Sequence, residues 1–131
     1  MKAISIKQPY AALIVGGIKD IENRTWKTNY RGRVLIHASA VPALSDIGDL
    51  PTEQLESAYF EMEEGKDIEP IVTSAIIGSV EIVDCVQNHN SIWAEKGVWN
   101  WVLANPVKFK KPILGVKGKL SIWDATNIKL S

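Results

Sequence analysis

The chain has 131 residues, equal numbers of basic and acidic side chains, and one cysteine, Cys85. This length favours a single domain, residues 1–131, whose hydrophobic core needs no disulfide or metal ion for stability. A lone cysteine excludes an internal disulfide and a multi-cysteine zinc site, and zero net charge excludes a generic polyanion binder. With no signal-like segment and no membrane-length apolar run in these residues, we expect a cytoplasmic protein and no membrane partner.

Charge is unevenly distributed along the chain. Residues 1–33 carry seven basic and two acidic side chains, residues 46–69 carry nine acidic and one basic, and residues 96–131 carry seven lysines and one acid. If the two ends meet in the fold, the neutral protein presents a basic face. Uncorrelated surface charge is the alternative explanation.

The N-terminal third predicts a short buried helix between strands. Residues 3–8 alternate apolar and polar side chains and predict a strand. Pro9 then opens a helix with its body over Tyr10–Val15, because a proline at the helix start loses no hydrogen bond. Gly16 and Gly17 supply the left-handed stop of this helix.

Two further strands follow. Residues 20–26 are too polar and β-branched to continue the helix, and as a strand they place Glu22, Arg24 and Trp26 on one face. Residues 33–39 predict a clear strand. One of its faces carries Val34, Ile36 and Ala38, and the other carries Arg33, Leu35, His37 and Ser39.

A second helix begins at Pro51 and ends at Gly65, after a loop over residues 40–50. Its predicted apolar stripe, which we expect to cover one side of the sheet, consists of Leu55, Ala58, Tyr59 and Met62. Its other face is rich in glutamate and predicts a solvated surface.

The remaining residues predict strands. Residues 74–86 form a long strand, in which Gly78 indicates a bulge or a close backbone approach. Residues 98–105 and 114–125 predict two more strands, and the segment between Pro106 and Pro112 suits an edge strand. Many short strands without a βαβ rhythm favour an α+β fold, a mixed and strongly curved sheet or small barrel with flanking helices.

No phosphate-binding, metalloprotease or serine-hydrolase motif is present, and we expect no metal and no cofactor. The candidate site is instead the polar cluster within residues 8–39, whose arginine forks match phosphates or carboxylates. A carboxylate beside two cations can accept base-edge donors or serve as a general base. The alternative is a weak surface ion pair between Glu22 and Arg24.

The tryptophans divide into two groups. Trp99 and Trp101 share one strand face and are predicted to fill core. Trp26, beside Lys27, is the better candidate for a ring on which a base stacks. Trp93 lies in a predicted loop and stays unassigned.

The segment QPYAALIVGGIKDIENRTWKTNYRGRVLIHAS resembles the signature of the ASCH domain, a PUA-like β-barrel family. Later segments, IIGSVEIVDC, WVLANPVKFKKPI and KGKLSIW, resemble the same family over nearly the whole chain. One departure is Ser121, where many relatives carry glycine. The resemblance implies a PUA-like barrel with a cleft that binds RNA or nucleotides.

The resemblance and the polar cluster together give the predicted ligand-binding residues, which are Gln8, Pro9, Tyr10, Lys19, Glu22, Asn23, Arg24, Trp26, Tyr30, Arg31, His37 and Ser39. One branch of the family resembles amidohydrolases that deacylate acylated cytidine with a lysine, a threonine three residues later and a glutamate from a later strand. Lys19 matches the lysine, Glu22 replaces the threonine, and Glu81 lies on a later strand. Ribonuclease activity on single strands is also associated with the family.

Three functions follow as hypotheses. The first is a module that binds RNA or a nucleotide, with Lys19, Arg24 and Arg31 on phosphate and Glu22 or Asn23 on a base edge. The second is a small hydrolase of RNA or nucleosides, with Lys19 or Glu22 as the base and His37 as an acid. The third is a protein-interaction module whose acidic helix docks a basic partner.

Overall fold

The computed structural model describes residues 1–44, 46–65, 72–126 and 128. Its elements in chain order are β1 (Lys2–Ile6), α1 (Tyr10–Val15), β2 (Ile21–Arg24), β3 (Gly32–Ala38), a short 3₁₀ turn (Ile47–Asp49), α2 (Thr52–Glu63), β4 (Ala75–Val86), β5 (Trp99–Leu114) and β6 (Ile122–Asp124). Among the charged residues counted above, Lys66, Asp67, Glu69 and Lys129 lie outside the described residues.

The described residues contain six strands, which form one mixed sheet in the order β2-β5-β4-β3-β1-β6. β1 and β3 are parallel, and the other neighbouring strands are antiparallel. The sheet curls into a half-barrel accompanied by two α-helices, so the predicted α+β class and strong curvature are confirmed. Within the part of the chain that is described, no helix is long and apolar enough to cross a membrane.

Alternation along β3 divides the core between the two faces of the sheet. Val34 and Ile36 pack with α1 and Trp101 in the main core. Leu35 packs on the other face in a smaller cluster with Trp123. This division matches the predicted faces of the strand, and the buried, free Cys85 belongs to the main core.

Gly78 is required by the close packing of α1 and β5 onto β4. A Cβ atom at this position would lie 2.2 Å from the carbonyl oxygen of Val107 and 2.8 Å from Cγ1 of Val15. Neither neighbour can withdraw without moving a strand or a helix. The predicted close backbone approach at this glycine is confirmed.

The C-terminal strands differ from the prediction. Residues 98–105 and the segment between the prolines form one strand, β5, and β2 pairs with its first part only. The predicted strand over residues 114–125 is wrong except for β6, because Gly115 (φ +69°) and Ser121 (φ +63°) adopt left-handed backbone conformations. Residues 115–121 form a loop.

The second helix also differs from the prediction. Leu55 and Ala58 are directed inward, in a cluster that contains Leu13 of α1. Tyr59 and Met62, predicted to belong to the buried stripe, are 47% and 38% exposed. The helix therefore packs through a narrower stripe than a four-residue face, against a cluster at α1 and the loop before β5.

Candidate functional site

A cleft of about 490 Å³ opens where β1 ends, between β2, the start of α1 and the loop over residues 115–121. Four cationic side chains line it, from Lys7, Lys19, Arg24 and Lys119. Among the described residues, the carboxylates of Glu22 and Glu95 and the aromatic rings of Tyr10 and Trp93 also line it. The cleft thus has a cationic excess around a small number of fixed polar groups, as ligand sites commonly do.

The end of α1 places Lys19 in this cleft. The helix stops in a Schellman motif, in which Gly17 has φ +79° and donates its amide to the Ile14 carbonyl at 3.1 Å. The amides of Ile18 and Lys19 both donate to the Leu13 carbonyl, at 2.9 and 3.0 Å. These bonds fix the backbone of Lys19 at the point where the chain turns into β2. The predicted left-handed stop is confirmed at Gly17, whereas Gly16 has a right-handed conformation with φ −75°.

The carboxylate of Glu22 bridges two cations on the cleft floor. Its Oε2 accepts a hydrogen bond from Nε of Arg24 at 2.8 Å and forms an ion pair with Nη2 of Arg24 at 2.8 Å. Its Oε1 lies 3.6 Å from Nζ of Lys19. The exposed fractions of the three side chains are 5% for Lys19, 11% for Glu22 and 23% for Arg24. The cluster is therefore a largely desolvated, fixed group with a net positive charge.

Burial makes Lys19 easier to deprotonate. It lowers the pKa of Lys19 from the ordinary value of 10.5, and this effect outweighs the opposing effect of Glu22. The ammonium also donates to the Ile21 carbonyl and lies 5.5 Å from the centre of the Tyr10 ring. Burial, and secondly Glu95, raise the pKa of Tyr10. The cleft therefore combines the Tyr10 phenol with the Lys19 amine, which loses its proton more easily than an ordinary lysine.

Arg24 also closes the curled sheet. Its Nη2 donates to the carbonyl oxygen of Ser5 on β1 at 3.0 Å. Because β2 forms one edge of the sheet and β1 lies next to the other edge, this bond joins the two sides of the half-barrel. The guanidinium lies 5.8 Å from the ring centre of the fully buried Trp101, which supports it from within the core.

Asn23 holds the loop before β5 against the cleft. Its Oδ1 accepts from Nδ2 of Asn100 at 2.9 Å and from the amide of Glu95 at 3.0 Å. Its Nδ2 donates to the carbonyl of Trp93 at 2.9 Å. The side-chain amide of Asn23 is therefore engaged within the protein, and it holds the backbone at Glu95.

His37 is a buried part of the scaffold beside the cleft. Its Nε2 donates to the Val116 carbonyl at 2.6 Å, so Nδ1 accepts from the Ser5 hydroxyl at 3.0 Å. The Ser5 Oγ in turn accepts from Nε1 of Trp123 at 3.1 Å. A Cβ on Gly118 would lie 2.5 Å from that oxygen. This network holds the loop over residues 115–121, which supplies one wall of the cleft.

Gln8 and Pro9 organise the helix that borders the cleft. Gln8 is fully buried, accepts from the amide of Ala12 at 2.9 Å, and donates to the carbonyl of Val72 at 2.7 Å. Pro9 is the residue that precedes the first turn of α1. Their contacts explain why glutamine and proline stand at the start of a helix whose later residues are buried.

The other predicted residues lie at varied distances from the cleft. Ser39 lines it, whereas Trp26 is 37% exposed and packs edge-on against Trp101, with 4.7 Å between the ring centres. The Tyr30 hydroxyl donates to the carbonyl of Arg33 at 2.9 Å. Arg31 lies 3.8 Å from Asp84, and neither Tyr30 nor Arg31 lines the cleft.

Several lining residues were not among the predicted site residues. They are Ser5, Ile6, Lys7, Ala43, Gln54, Trp93, Glu95, Lys119, Leu120 and Ser121. The basic C-terminal segment pointed to Lys119 in general terms, but Glu95 stood in a predicted loop with no motif. Glu81, the later-strand glutamate, does not line the cleft and instead lies 3.3 Å from Arg33.

Comparison with known proteins identifies a family that this chain matches over most of its length. The family model of the ASCH domain matches residues 4–113. The chain is also similar to Activating signal cointegrator 1 from Homo sapiens and from Mus musculus, with 34% and 33% identity over 87 residues. These alignments cover 63% of this chain and 14% of each relative, so the chain corresponds to a small part of those proteins.

The matched region contains the whole cluster of Lys19, Glu22 and Arg24, together with the strands that position it. The ASCH family is PUA-like and is associated with RNA binding, which agrees with the curled sheet and the cationic cleft described above. On the length of this match, the chain belongs to the ASCH domain family.

Proposed function

We propose that this protein binds single-stranded RNA or a nucleotide in the cleft at the end of β1. One observation carries the proposal. Lys7, Lys19, Arg24 and Lys119 converge on a cleft that also holds Tyr10 and the carboxylate of Glu95. Cations beside a ring and a carboxylate match a ligand that combines phosphate with a base.

The dimensions of the cleft favour one or a few nucleotides over a double helix. Its volume of about 490 Å³ falls within the range of small-molecule sites. A single-stranded nucleotide can insert its base into such a space, whereas the bases of a duplex remain stacked inside the helix. The exposed carboxylate of Glu95 is a suitable acceptor for an exocyclic amino group.

The positions of the cations support different phosphate contacts for Arg24 and Lys119. Glu22 and the Ser5 carbonyl occupy Nε and Nη2 of Arg24, which leaves Nη1 directed to neither group. Lys119 is exposed at the rim, where an ammonium remains hydrated and mobile. We therefore assign Arg24 to a fixed phosphate contact and Lys119 to a peripheral one.

The test is a titration of fluorescein-labelled single-stranded RNA, read by anisotropy at two salt concentrations. Arg24→Ala is expected to weaken binding by at least about tenfold, since a charge-assisted contact is lost. Arg31→Ala is the matched control, because Arg31 is an arginine outside the cleft lining. Equal affinities for Arg24→Ala and Arg31→Ala would contradict the proposal, as would RNA binding that neither salt nor either substitution affects.

The buried amine of Lys19 favours a second candidate, a hydrolase of acylated nucleosides or of RNA. Deprotonated Lys19 would take a proton from a water molecule, whose oxygen attacks the acyl carbon of the substrate. The bond from carbon to the leaving nitrogen then breaks, and that nitrogen takes the proton from Lys19. The lowered pKa of Lys19 is the specific observation behind this candidate.

Turnover of N-acylated cytidine and of single-stranded RNA, measured against pH, tests this candidate. Lys19→Met should abolish turnover, and Lys7→Met, which removes an exposed lysine from the same cleft, should retain most of it. Turnover that survives Lys19→Met would exclude Lys19 as the base. RNA binding without any turnover would exclude the hydrolase and leave RNA binding as the remaining candidate function.

A further inference from the structure

A second cavity, of about 640 Å³, lies at the other end of β1 from the cleft. Met1 borders it, whereas Ser5 borders the cleft, so the two cavities are about 13 Å apart along this strand. The other described lining residues are Arg33 and Leu35 on β3, Ser79 on β4, and Lys108, Phe109, Lys110, Lys111 and Ile113 on β5. We refer to this cavity as the basic groove.

An irregularity in β5 creates the wall of the basic groove. Ile113 pairs with Ile76 and Lys108 pairs with Gly78, so residues 109–112 of β5 stand opposite the single residue Ile77 of β4. Such a bulge bends a strand and redirects its side chains. Here it carries two consecutive exposed lysines, Lys110 and Lys111, over the groove.

The floor of the basic groove contains a fixed arginine. Arg33 donates to the Ser79 hydroxyl at 2.8 Å and to the Asn105 carbonyl at 3.0 Å. Its guanidinium also lies 3.3 Å from Oε1 of Glu81. The described residues that line the groove include four cations and no carboxylate, so the groove is electropositive although the whole chain is neutral.

The aromatic ring of Phe109 gives the groove an apolar side. It is half-buried and packs against the cluster that contains Leu35 and Trp123. A ring among lysines is a common arrangement in grooves that bind single-stranded nucleic acid, because bases stack on the ring while the lysines follow the backbone. An acidic protein segment would use the lysines but would gain less from the ring.

We propose that the basic groove binds the phosphodiester backbone of the same single-stranded RNA that occupies the cleft. This inference rests on the proposed function and adds a second point of contact. Solvated lysines suit contacts that do not depend on base identity. The separation of about 13 Å is short for a strand of several nucleotides, and single-strand binding sites commonly span about 4–16 nucleotides.

The experiment compares a long and a short ligand. An oligouridine of about 12 nucleotides, within the usual site sizes, is titrated by anisotropy, and uridine monophosphate is titrated by calorimetry. The tested variant is the double substitution Lys110→Ala and Lys111→Ala. The control is Lys2→Ala with Lys27→Ala, which removes the same net charge from exposed lysines that line neither cavity.

We expect the groove variant to bind the long RNA at least about tenfold more weakly and to bind uridine monophosphate as the wild type does. The slope of log affinity against log salt should fall by about 0.7 for each phosphate contact that is lost. The control variant should show neither change. Unchanged binding of the long RNA by the groove variant would overturn the groove inference.

The results also separate the two proposals. If Arg24→Ala weakens both ligands and the groove variant weakens neither, the cleft function stands and the groove inference fails. If only the groove variant matters for the long RNA, the cleft function fails and the groove binds RNA by itself. Weaker binding of an acidic polypeptide by the groove variant, with unchanged RNA binding, would assign the groove to an acidic protein surface and overturn the inference.

Discussion

The cleft and the basic groove are each lined by an arginine that pairs with a glutamate, but the two pairs differ in their surroundings. In the cleft, Arg24 and Glu22 are 23% and 11% exposed, and Glu22 also forms an ion pair with the buried Lys19. At the groove, Arg33 is 31% exposed, its partner Glu81 outside the lining is 37% exposed, and Lys110 and Lys111 are exposed to water. Fixed, desolvated charges favour a ligand of defined geometry, whereas solvated ones give contacts that depend on salt.

The largest predicted effect concerns Gly78 on β4, against which both β5 and α1 pack. Gly78→Ala places a methyl group against the Val107 carbonyl and the Val15 side chain, so β5 and α1 must both move. We expect a loss of about 3 kcal/mol or more in the free energy of unfolding, measured by urea denaturation. Gly48→Ala is the control, because its new methyl group meets only a side chain, at 3.3 Å. Similar losses for both variants would contradict this account.

The second prediction compares the two ion pairs directly. Glu22→Gln removes the anion between Lys19 and Arg24, and we expect it to cost about 2–3 kcal/mol, because a buried cation loses its partner. Glu81→Gln, which removes the partner of Arg33, should cost less than about 1 kcal/mol, as the loss of an exposed pair does. Urea denaturation at neutral pH measures both. Equal costs would show that the two regions do not differ as described.

The third prediction uses pH to examine Lys19. Because burial lowers the pKa of Lys19 in the folded state, the unfolded chain binds more protons between that pKa and 10.5. Stability should therefore rise with pH across this window for the wild type relative to Lys19→Met, by at most about 1.4 kcal/mol per unit of pKa difference. A flat difference for Lys19→Met would contradict the assigned burial effect.

The smallest predicted effect concerns the rim of the cleft. Ser121 has φ +63°, a conformation that costs a non-glycine residue about 1–2 kcal/mol. Ser121→Gly should raise the free energy of unfolding by about 0.5–1 kcal/mol after the entropy cost of glycine is subtracted. Asn105→Gly, at φ +51°, should give a smaller gain in the free energy of unfolding, since asparagine tolerates the left-handed region. A loss of stability in Ser121→Gly would mean that its hydroxyl makes a needed contact.

Local patterns predicted the parts of the fold that depend on neighbouring residues. The strand faces of β3, the glycine stop of α1 and the close approach at Gly78 all followed from alternation or from the properties of glycine. Residues 114–125 were predicted as a strand because their apolar spacing permits one. The backbone there turns at Gly115 and Ser121 to reach His37, and this long-range packing leaves no periodic signal.

The candidate site was predictable to the extent that its residues lie close together in the chain. Lys19, Glu22 and Arg24 share one turn and one strand face, so their convergence followed from spacing. Glu95 and Lys119 reach the cleft only through tertiary contacts, such as the bond from the Glu95 amide to Asn23. His37 has the polarity of a site residue, but its partners, Ser5 and Val116, come from opposite ends of the chain.

The bond between Ser5 and Trp123 has a consequence for synthesis on the ribosome. It joins residues 118 positions apart, and it helps to hold the loop that forms the last wall of the cleft. A nascent chain that already contains Lys19, Glu22 and Arg24 therefore still lacks a finished pocket. Ligand affinity should emerge only after Trp123 has left the exit tunnel, so a partly made chain would not compete with finished molecules for the same ligand.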